Sequence, residues 1–325
     1  MLDALTGKRT GSFNDNIDSQ SPIISKDGFI FTENNLKLNS YDTTSKTSKW
    51  SFALTGSNNG IGIPLIQDGV AYVMGLSSIT ALETSTGKTK WSNTSVNLSG
   101  GLFEYSPSIL NGTLYVPAYD KKALLALNLT TGATKWTYQS KYYMNKSPYL
   151  VNGDLIGASQ NDIYNVNASD GTLKQTIKTY AFQLGSFTVL DGVMYLSGGA
   201  NFKFPAIDLA KGTDIWSFST GFYYPFSTST ISDGLVYFYT SENKLYALDI
   251  KTGEVKWNYS GVNNDFTIAN GFVYALVGNN LTVLDAKTGV LKWNYSEINT
   301  KFYPPSIIDK NGKVNYNGRI TNQIQ

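Results

Sequence analysis

Short runs that alternate apolar and polar residues, rich in aromatic and β-branched side chains, follow one another along the whole chain. Residues 113–116 (Thr-Leu-Tyr-Val) and 235–238 (Leu-Val-Tyr-Phe) are two examples. Runs of this kind between turn residues predict β-strands, and no segment has the periodicity of a convincing helix. We therefore expect an all-β protein.

Tight turns separate these runs at near-regular intervals. Eight Asp-Gly or Asn-Gly dipeptides have glycines spaced by 41, 43, 41, 39, 42, 37 and 41 residues. Both central residues of a type I′ turn need positive φ, which Asn, Asp and Gly tolerate best. A repeat of about forty residues with one such hairpin is typical of a propeller blade. The dipeptides begin at Asp27, Asp68, Asn111, Asn152, Asp191, Asp233, Asn270 and Asn311.

A second turn recurs once in each repeat. Its central position is glycine in seven of eight copies and Lys46 in the other. Lys46 must either adopt a left-handed conformation at some cost or sit in a differently shaped turn. Four residues earlier, every copy has a side chain that can accept hydrogen bonds from the turn backbone, and this recurrence favours a structural role over a metal or catalytic one. These residues are Asp3, Asp42, Glu83, Asn128, Asn167, Asp208, Asp249 and Asp285.

All six tryptophans lie four residues after this turn position, where strand D of the repeat is expected to end. Gly11 and Gln175 take their place in the other two copies. A stacking cofactor would need one or two indoles in unlike surroundings, whereas six in register indicate large flat plugs between neighbouring blades. The predicted structural tryptophans are Trp50, Trp91, Trp136, Trp216, Trp257 and Trp293.

The two ends of the sequence each contain half a repeat. Residues 1–13 supply only strands C and D, and residues 304–318 supply only strands A and B. Pairing the two halves would leave no open sheet edge. The expected fold is an eight-bladed β-propeller of four-stranded antiparallel blades, closed by these half-blades, with residues 1–325 as a single domain.

Composition excludes several functions. The chain has 26 basic and 24 acidic residues, without the concentrated basic stripe that nucleic acid binding requires. It has no cysteine and no histidine, which removes disulfides, thiolate metal sites, the usual general base and the commonest zinc ligand. No apolar run approaches the length of a membrane-spanning helix, and residues 1–4 have no signal-peptide character. Because the sequence opens inside a repeat, a leader trimmed away before residue 1 is compatible with it.

Residues 247–257 (Ala-Leu-Asp-Ile-Lys-Thr-Gly-Glu-Val-Lys-Trp) closely resemble the tryptophan-docking repeat of the quinoprotein-type, or PQQ-like, β-propellers. The resemblance extends over essentially the whole chain. This family includes PQQ- and calcium-dependent alcohol and glucose dehydrogenases, and non-enzymatic scaffolds such as the propeller lipoprotein of the Gram-negative outer-membrane assembly machine. Our chain lacks the enzymes' vicinal disulfide and large blade insertions. The resemblance therefore implies a non-enzymatic propeller, without catalytic, metal or cofactor-binding residues and without a cofactor.

Aromatic residues are concentrated in the predicted connections from strand D of one blade to strand A of the next. Such rings would either cap the blades around the channel mouth or form a platform on which sugar rings or an extended peptide stack. The candidate ligand-binding residues are Phe103, Tyr105, Tyr142, Tyr143, Tyr180, Phe182, Phe222, Tyr223, Tyr224, Phe226, Phe302 and Tyr303.

These observations predict a non-catalytic binding or scaffolding propeller that is extracellular, at the cell surface or periplasmic, with a protein or glycan partner. The alternatives are a structural module of a larger surface assembly and a PQQ- and calcium-dependent dehydrogenase. Nine Asn-x-Ser/Thr sequons weakly favour glycosylation. The sequence does not indicate an oligomeric state.

Overall fold

A computed structural model describes residues 23–24, 29–34, 37–42, 45, 47–53, 64–75, 78–96, 107–118, 121–144, 148–159, 162–178, 187–197, 202–221, 229–296, 307–308, 314–316 and 319–320. Within these ranges every regular element is a β-strand. The strands pair into antiparallel sheets that follow the order of the chain. The prediction of an all-β protein with four-stranded antiparallel sheets is confirmed.

The chain forms two compact units. The described strands of the first, which we call the N-terminal unit, lie between residues 23 and 178. Its sheets consist of β1 (Ile23–Ile24), β2 (Phe29–Asn34), β3 (Lys37–Asp42) and β4 (Ser48–Ala53); β5 (Leu65–Gln67), β6 (Val70–Met74), β7 (Ile79–Glu83) and β8 (Thr89–Asn93); β9 (Ser108–Leu110), β10 (Thr113–Ala118), β11 (Ala123–Asn128) and β12 (Thr134–Gln139); and β13 (Tyr149–Val151), β14 (Asp154–Ser159), β15 (Asp162–Asn167) and β16 (Leu173–Lys178).

The second, C-terminal unit contains the described strands between residues 187 and 320. Its last sheet has three described strands, and the others have four. They consist of β17 (Phe187–Leu190), β18 (Val193–Leu196), β19 (Lys203–Asp208) and β20 (Thr213–Ser219); β21 (Thr230–Ser232), β22 (Leu235–Thr240), β23 (Lys244–Asp249) and β24 (Val255–Ser260); β25 (Val262–Ala269), β26 (Phe272–Val277), β27 (Asn280–Asp285) and β28 (Leu291–Tyr295); and β29 (Ile307–Ile308), β30 (Val314–Tyr316) and β31 (Arg319–Ile320).

We call the strands of each four-stranded sheet A to D in chain order. The predicted turns between strands A and B are present wherever the structure describes them. At the turn between β5 and β6, for example, Asp68 has φ 48° and Gly69 has φ 73°. Five further pairs have positive φ at both residues, which confirms the type I′ geometry: Asn111-Gly112, Asn152-Gly153, Asp191-Gly192, Asp233-Gly234 and Asn270-Gly271. The pairs at Asp27 and Asn311 lie outside the described residues, as does Lys46.

Strand D extends further than the sequence predicted. It does not end at the tryptophan: β12 runs to Gln139, three residues beyond Trp136. The reason is the partner strand, because Ala123, the first residue of β11, pairs with Gln139. The hydrogen-bonded ladder continues until strand C has no further residue to pair with.

The core of each unit lies along strands B and C. All six residues of β10 are buried, as are the first five of β11, whereas β12 exposes Thr134 and then every second residue from Lys135 onward. A strand whose side chains are all buried is packed on both faces, whereas a strand whose side chains alternate between buried and exposed is packed on one face. Strand D is therefore the solvent-facing edge of its sheet, which leaves the ends of the sheets as the places where loops can form a site.

Candidate functional site

Each sheet has two different ends. At one, which we call the turn end, the A–B and C–D turns meet: the N–H of Thr84 donates to the carbonyl of Gly69 at 2.9 Å. At the other, the loop end, the B–C loop meets the residues that follow strand D. There the N–H of Ser140 donates to the carbonyl of Lys122 at 2.7 Å, and the N–H of Thr220 to that of Phe202 at 2.8 Å.

The recurrent carboxylates and amides belong to the turn end. Asp249 Oδ1 accepts the N–H groups of Lys251 at 3.0 Å and Thr252 at 3.1 Å. The backbone hydrogen bond from Lys251 is the main cause that holds the pKa of Asp249 below its usual range. One or two backbone N–H groups of the turn likewise donate to the side chains of Asp42, Asn128, Asn167, Asp208 and Asp285. Their predicted structural role in the turn is confirmed at these positions.

The tryptophans reach from one sheet to the next inside each unit. Trp136 Nε1 donates to the carbonyl of Ala168 at 3.2 Å, and its ring lies so close to Gly171 that an added Cβ would be 2.7 Å from Cε3. Gly171 also has φ +78°, so no other residue fits without strain. Trp50, Trp91, Trp216 and Trp257 make the corresponding contacts with the glycine and carbonyl of the following sheet.

Strand B adds a tyrosine to this contact, which sequence reasoning missed. The Tyr115 hydroxyl donates at 3.0 Å to the same Ala168 carbonyl that Trp136 uses, and the two rings lie 5.8 Å apart. The hydroxyl of Tyr237 and Trp257 Nε1 likewise share the carbonyl of Ala286, each at 2.9 Å. A regular Tyr in strand B, about twenty residues before every tryptophan except Trp50, was the available signal.

The candidate aromatic residues with a described position are Tyr142 and Tyr143, which follow β12 at the loop end. Tyr143 is 39% exposed, whereas the neighbouring Met144 is fully buried and pairs with Ser159. Met144 therefore anchors the segment while Tyr143 faces solvent. The other candidates lie outside the described residues: Phe103, Tyr105, Tyr180, Phe182, Phe222, Tyr223, Tyr224, Phe226, Phe302 and Tyr303.

Lysines lie against both tyrosines. Lys122 Nζ is 4.9 Å from the centroid of the Tyr143 ring, and Lys141 Nζ is 5.2 Å from that of Tyr142. Ammonium groups at such distances are attracted by the electron-rich ring face. Gln139 fixes the loop that carries Lys122, because its Nε2 donates to the carbonyls of Lys121 at 2.8 Å and Lys122 at 3.1 Å.

Two neighbouring sheets contribute to this cluster. Lys121 Nζ donates to the carbonyl of Ser95, which follows β8. Lys178, at the end of β16, lies 2.7 Å from Asp162 Oδ2. The hydrogen bond with Asp162 is the main cause that raises the pKa of Lys178, and Tyr142 contributes in the same direction. Met144, which follows the two tyrosines, pairs with Ser159, and Ser159 lies opposite Asp162, so Asp162 and Lys178 lie beside the segment that carries the tyrosines.

This arrangement offers exposed ring surface and positive charge, the two features that attract anionic groups and flat or apolar side chains. Sequence reasoning missed the lysines, although the run Lys141-Tyr142-Tyr143 and the pair Lys121-Lys122 were visible signals. In the described part of the chain no three His, Cys, Asp or Glu residues are grouped to hold a metal ion. Nor does that part contain a helix with the length and hydropathy to cross a bilayer.

Comparison with known proteins identifies related chains. The family model described as outer membrane protein assembly factor BamB, of PQQ type, matches residues 37–150, 148–260 and 203–305. BamB of Yersinia pestis is 27% identical over 231 residues, covering 62% of this chain, and BamB of Salmonella typhimurium is 28% identical over 268 residues, covering 72%. The chain spans 57% and 66% of the length of these two proteins.

A segment comprising 44% of the chain is also 25% identical to 18% of the serine/threonine-protein kinase AfsK of Streptomyces griseus. Among solved structures, BamB of Moraxella catarrhalis superposes with a TM-score of 0.69 at 15% identity, over 92% of this chain and 96% of that one. The computationally designed Ika8 protein gives 0.70 at 11% identity, over 91% and 96%. At these identities the likeness concerns the fold, which is that of the PQQ-like β-propellers.

Proposed function

The chain belongs to the PQQ-like repeat family described as outer membrane protein assembly factor BamB, and from this membership we propose that it is a non-catalytic scaffold that binds a protein segment. The binding site is the loop end of the N-terminal unit around Tyr142 and Tyr143. The protein acts outside the cytoplasm, as a component of a surface or envelope assembly.

The exposed ring of Tyr143 carries this proposal. A single exposed apolar side chain is common on a protein surface, but this ring is held in place from both sides. Met144 is buried beneath the segment, the Ser140 hydroxyl accepts the N–H of Tyr142 at 3.2 Å, and Lys122 lies over the Tyr143 ring. A rigid exposed ring loses little conformational entropy when a partner packs on it.

A peptide is favoured over a glycan because the matched relatives are named as protein assembly factors. The test is an array of extended peptides and an array of glycans, probed with the wild-type chain and with Tyr143→Ala. We expect peptides to bind, Tyr143→Ala to weaken binding, and its melting temperature to stay unchanged because an exposed ring adds little to the core.

Ile215→Ala is the matched control, because Ile215 is a large apolar residue, 51% exposed, on strand β20 and away from the loop end. If only glycans bind, the ligand of this site is a sugar and the proposal of a peptide ligand is wrong. Dye-linked oxidation of an alcohol or glucose after incubation with PQQ and calcium would overturn the proposal altogether.

The proposal includes a ring of eight blades whose last blade combines residues 1–13 with residues 304–318. The repeat register places Leu2 opposite Val314, as Leu284 lies opposite Val273 in the preceding sheet. In the structure β31 pairs with β30, with Ile320 opposite Asn315. One strand edge takes one partner, so the two pairings compete for β30.

Engineered disulfides distinguish these pairings cleanly, because the chain has no native cysteine. Closure by the N-terminal half-blade predicts that Leu2→Cys with Val314→Cys forms an intramolecular disulfide on oxidation, since paired strands bring the Cβ atoms within bonding range. A cross-link only between Ile320→Cys and Asn315→Cys would contradict the shared blade.

A further inference from the structure

We propose that the surface formed by Lys121, Lys122, Lys141, Lys178, Tyr142 and Tyr143, which we call the lysine–tyrosine surface, selects acidic segments of its protein partner. This rests on the proposed binding function and specifies the chemistry of the segment. The ligand is an extended peptide in which glutamate or aspartate side chains meet the lysines while its other residues pack on the two rings.

Unneutralised positive charge is the first argument. In the described part of the chain, Lys121, Lys122 and Lys141 have no carboxylate partner, and Asp162 is the one acidic residue described beside the four lysines. Asp120, which precedes Lys121 in the sequence, lies outside the described residues. At three turn ends, by contrast, a lysine lies beside an aspartate: Lys49 by Asp42 at 3.3 Å, Lys256 by Asp249 at 3.4 Å and Lys292 by Asp285 at 3.2 Å. The lysine–tyrosine surface therefore has positive charge available to a ligand.

Preorganisation is the second argument. Lys122 has φ 50°, a left-handed conformation that strains a lysine. The structure keeps it in this conformation because its carbonyl accepts the N–H of Ser140 at 2.7 Å and the side-chain amide of Gln139. The ring face of Tyr143 then attracts the Lys122 ammonium group and fixes its position. A cation fixed before binding loses less entropy on pairing with a carboxylate than a freely moving lysine does.

The spacing of the charges favours a peptide over a nucleic acid. The lysines are grouped at one loop end, beside Asp162, and the chain as a whole has a net charge of +2. A phosphate backbone would need a continuous basic stripe along its length. On this surface it would also bring a negative charge close to the Asp162 carboxylate. Separate carboxylates on a peptide can meet the lysines individually while an apolar residue between them covers Tyr143.

The test measures binding of three fluorescein-labelled peptides of equal length by fluorescence anisotropy: alternating valine and glutamate, valine and glutamine, and valine and lysine. We expect the glutamate peptide to bind at least about tenfold more tightly than the glutamine peptide at low salt, and the difference to shrink as salt is raised. The lysine peptide should bind most weakly.

The decisive variant is Lys122→Glu with Lys141→Glu. We expect it to remove the preference for the glutamate peptide while retaining the melting temperature of the wild type. The matched control is Lys88→Glu with Lys90→Glu, which makes the same change of net charge in the same unit on exposed lysines beside the β7–β8 turn. The control should keep the preference, apart from a small general decrease that salt abolishes.

Each outcome has one meaning. If the three peptides bind equally to the wild type, or if both double variants lose the same affinity, charge selection at this surface is wrong while peptide binding stands. A single-stranded oligonucleotide that binds as tightly as the glutamate peptide, with loss in Lys122→Glu/Lys141→Glu, would replace the acidic peptide by a nucleic acid. If no peptide binds, the proposed function itself fails.

Discussion

Among the glycines that the structure describes, Gly157 in β14 has the least room for a side chain. A methyl group on its Cα would lie 2.0 Å from the Tyr164 hydroxyl oxygen and 2.1 Å from ring carbon Cζ. Its φ is not in the left-handed region, so space alone requires glycine here. Tyr164 is 2% exposed, and its ring lies 5.6 Å from that of Tyr138 in the neighbouring sheet.

Gly157→Ala must therefore displace the Tyr164 ring. Overpacking of a core costs about 1–3 kcal/mol, and expelling a buried ring also loses its contacts, so we expect the free energy of unfolding to fall by about 3 kcal/mol or more. Gly153→Ala in the preceding turn is the matched control. An added methyl there has no atom within 4 Å, but φ is +81°, so only left-handed strain of about 1–2 kcal/mol is expected.

The adjacent sheet indicates how the defect can be repaired. Val116 and Leu125 pair across β10 and β11 in the register that Gly157 and Tyr164 occupy in β14 and β15, and both are buried. Gly157→Val with Tyr164→Leu should recover most of the stability that Gly157→Val loses. A favourable coupling of at least about 1 kcal/mol is expected, since the two side chains share one space.

Urea unfolding followed by far-ultraviolet circular dichroism gives these free energies. Tyr164→Leu also removes a hydroxyl that has no hydrogen-bond partner in the described part of the chain, which offsets part of the cavity it leaves. Strictly additive losses in the double variant would refute the packing argument, as would equal losses in Gly157→Ala and Gly153→Ala.

Three further predictions concern the contacts that hold the sheets. Trp216→Phe removes the 3.1 Å hydrogen bond to the Ile250 carbonyl and should lower the free energy of unfolding by about 1–2 kcal/mol in urea; an unchanged midpoint would contradict this. Burial raises the pKa of Tyr72 and Tyr195 to about 12. The stability that the two protonated hydroxyls contribute is therefore complete below the pKa of unfolded tyrosine and is lost as pH rises through the folded pKa. A melting temperature that stays constant up to pH 12 would disprove this prediction. Because the pKa of Asp249 is depressed in the folded protein, the stability that its carboxylate contributes is lost as pH falls through that pKa. Asp249→Asn should keep the turn and remove this part of the acid sensitivity. Equal acid sensitivity of the wild type and Asp249→Asn would contradict the role given to the carboxylate.

The sequence predicted the features that depend on local backbone chemistry. An Asp-Gly or Asn-Gly pair favours positive φ at both residues, so turns such as Asp68-Gly69 could be placed from the residue types alone. The side chain of Asp249 bonds its own turn two and three residues ahead, which is equally local. Interactions between residues that are close together in the chain can be predicted from the sequence.

Contacts between segments that are far apart in the chain could not be predicted in this way. Tyr115 shares the Ala168 carbonyl with Trp136, and this depends on the stacking of two sheets. Lys122 and Tyr143 meet because strand D runs past the tryptophan to a position opposite Ala123, the first residue of strand C, an extension that the sequence did not predict. The sequence therefore indicated aromatic residues in this connection, of which the structure describes Tyr142 and Tyr143, but it did not indicate the lysines that lie against them.

The most direct test of the account is hydrogen–deuterium exchange of the full chain with and without the alternating valine–glutamate peptide. Our account predicts that the peptide slows exchange at residues 121–122 and 139–144, where the lysine–tyrosine surface lies, and leaves the β7–β8 turn unaffected. Protection confined to the turn ends of the sheets, or no protection at a peptide concentration that saturates binding, would contradict it.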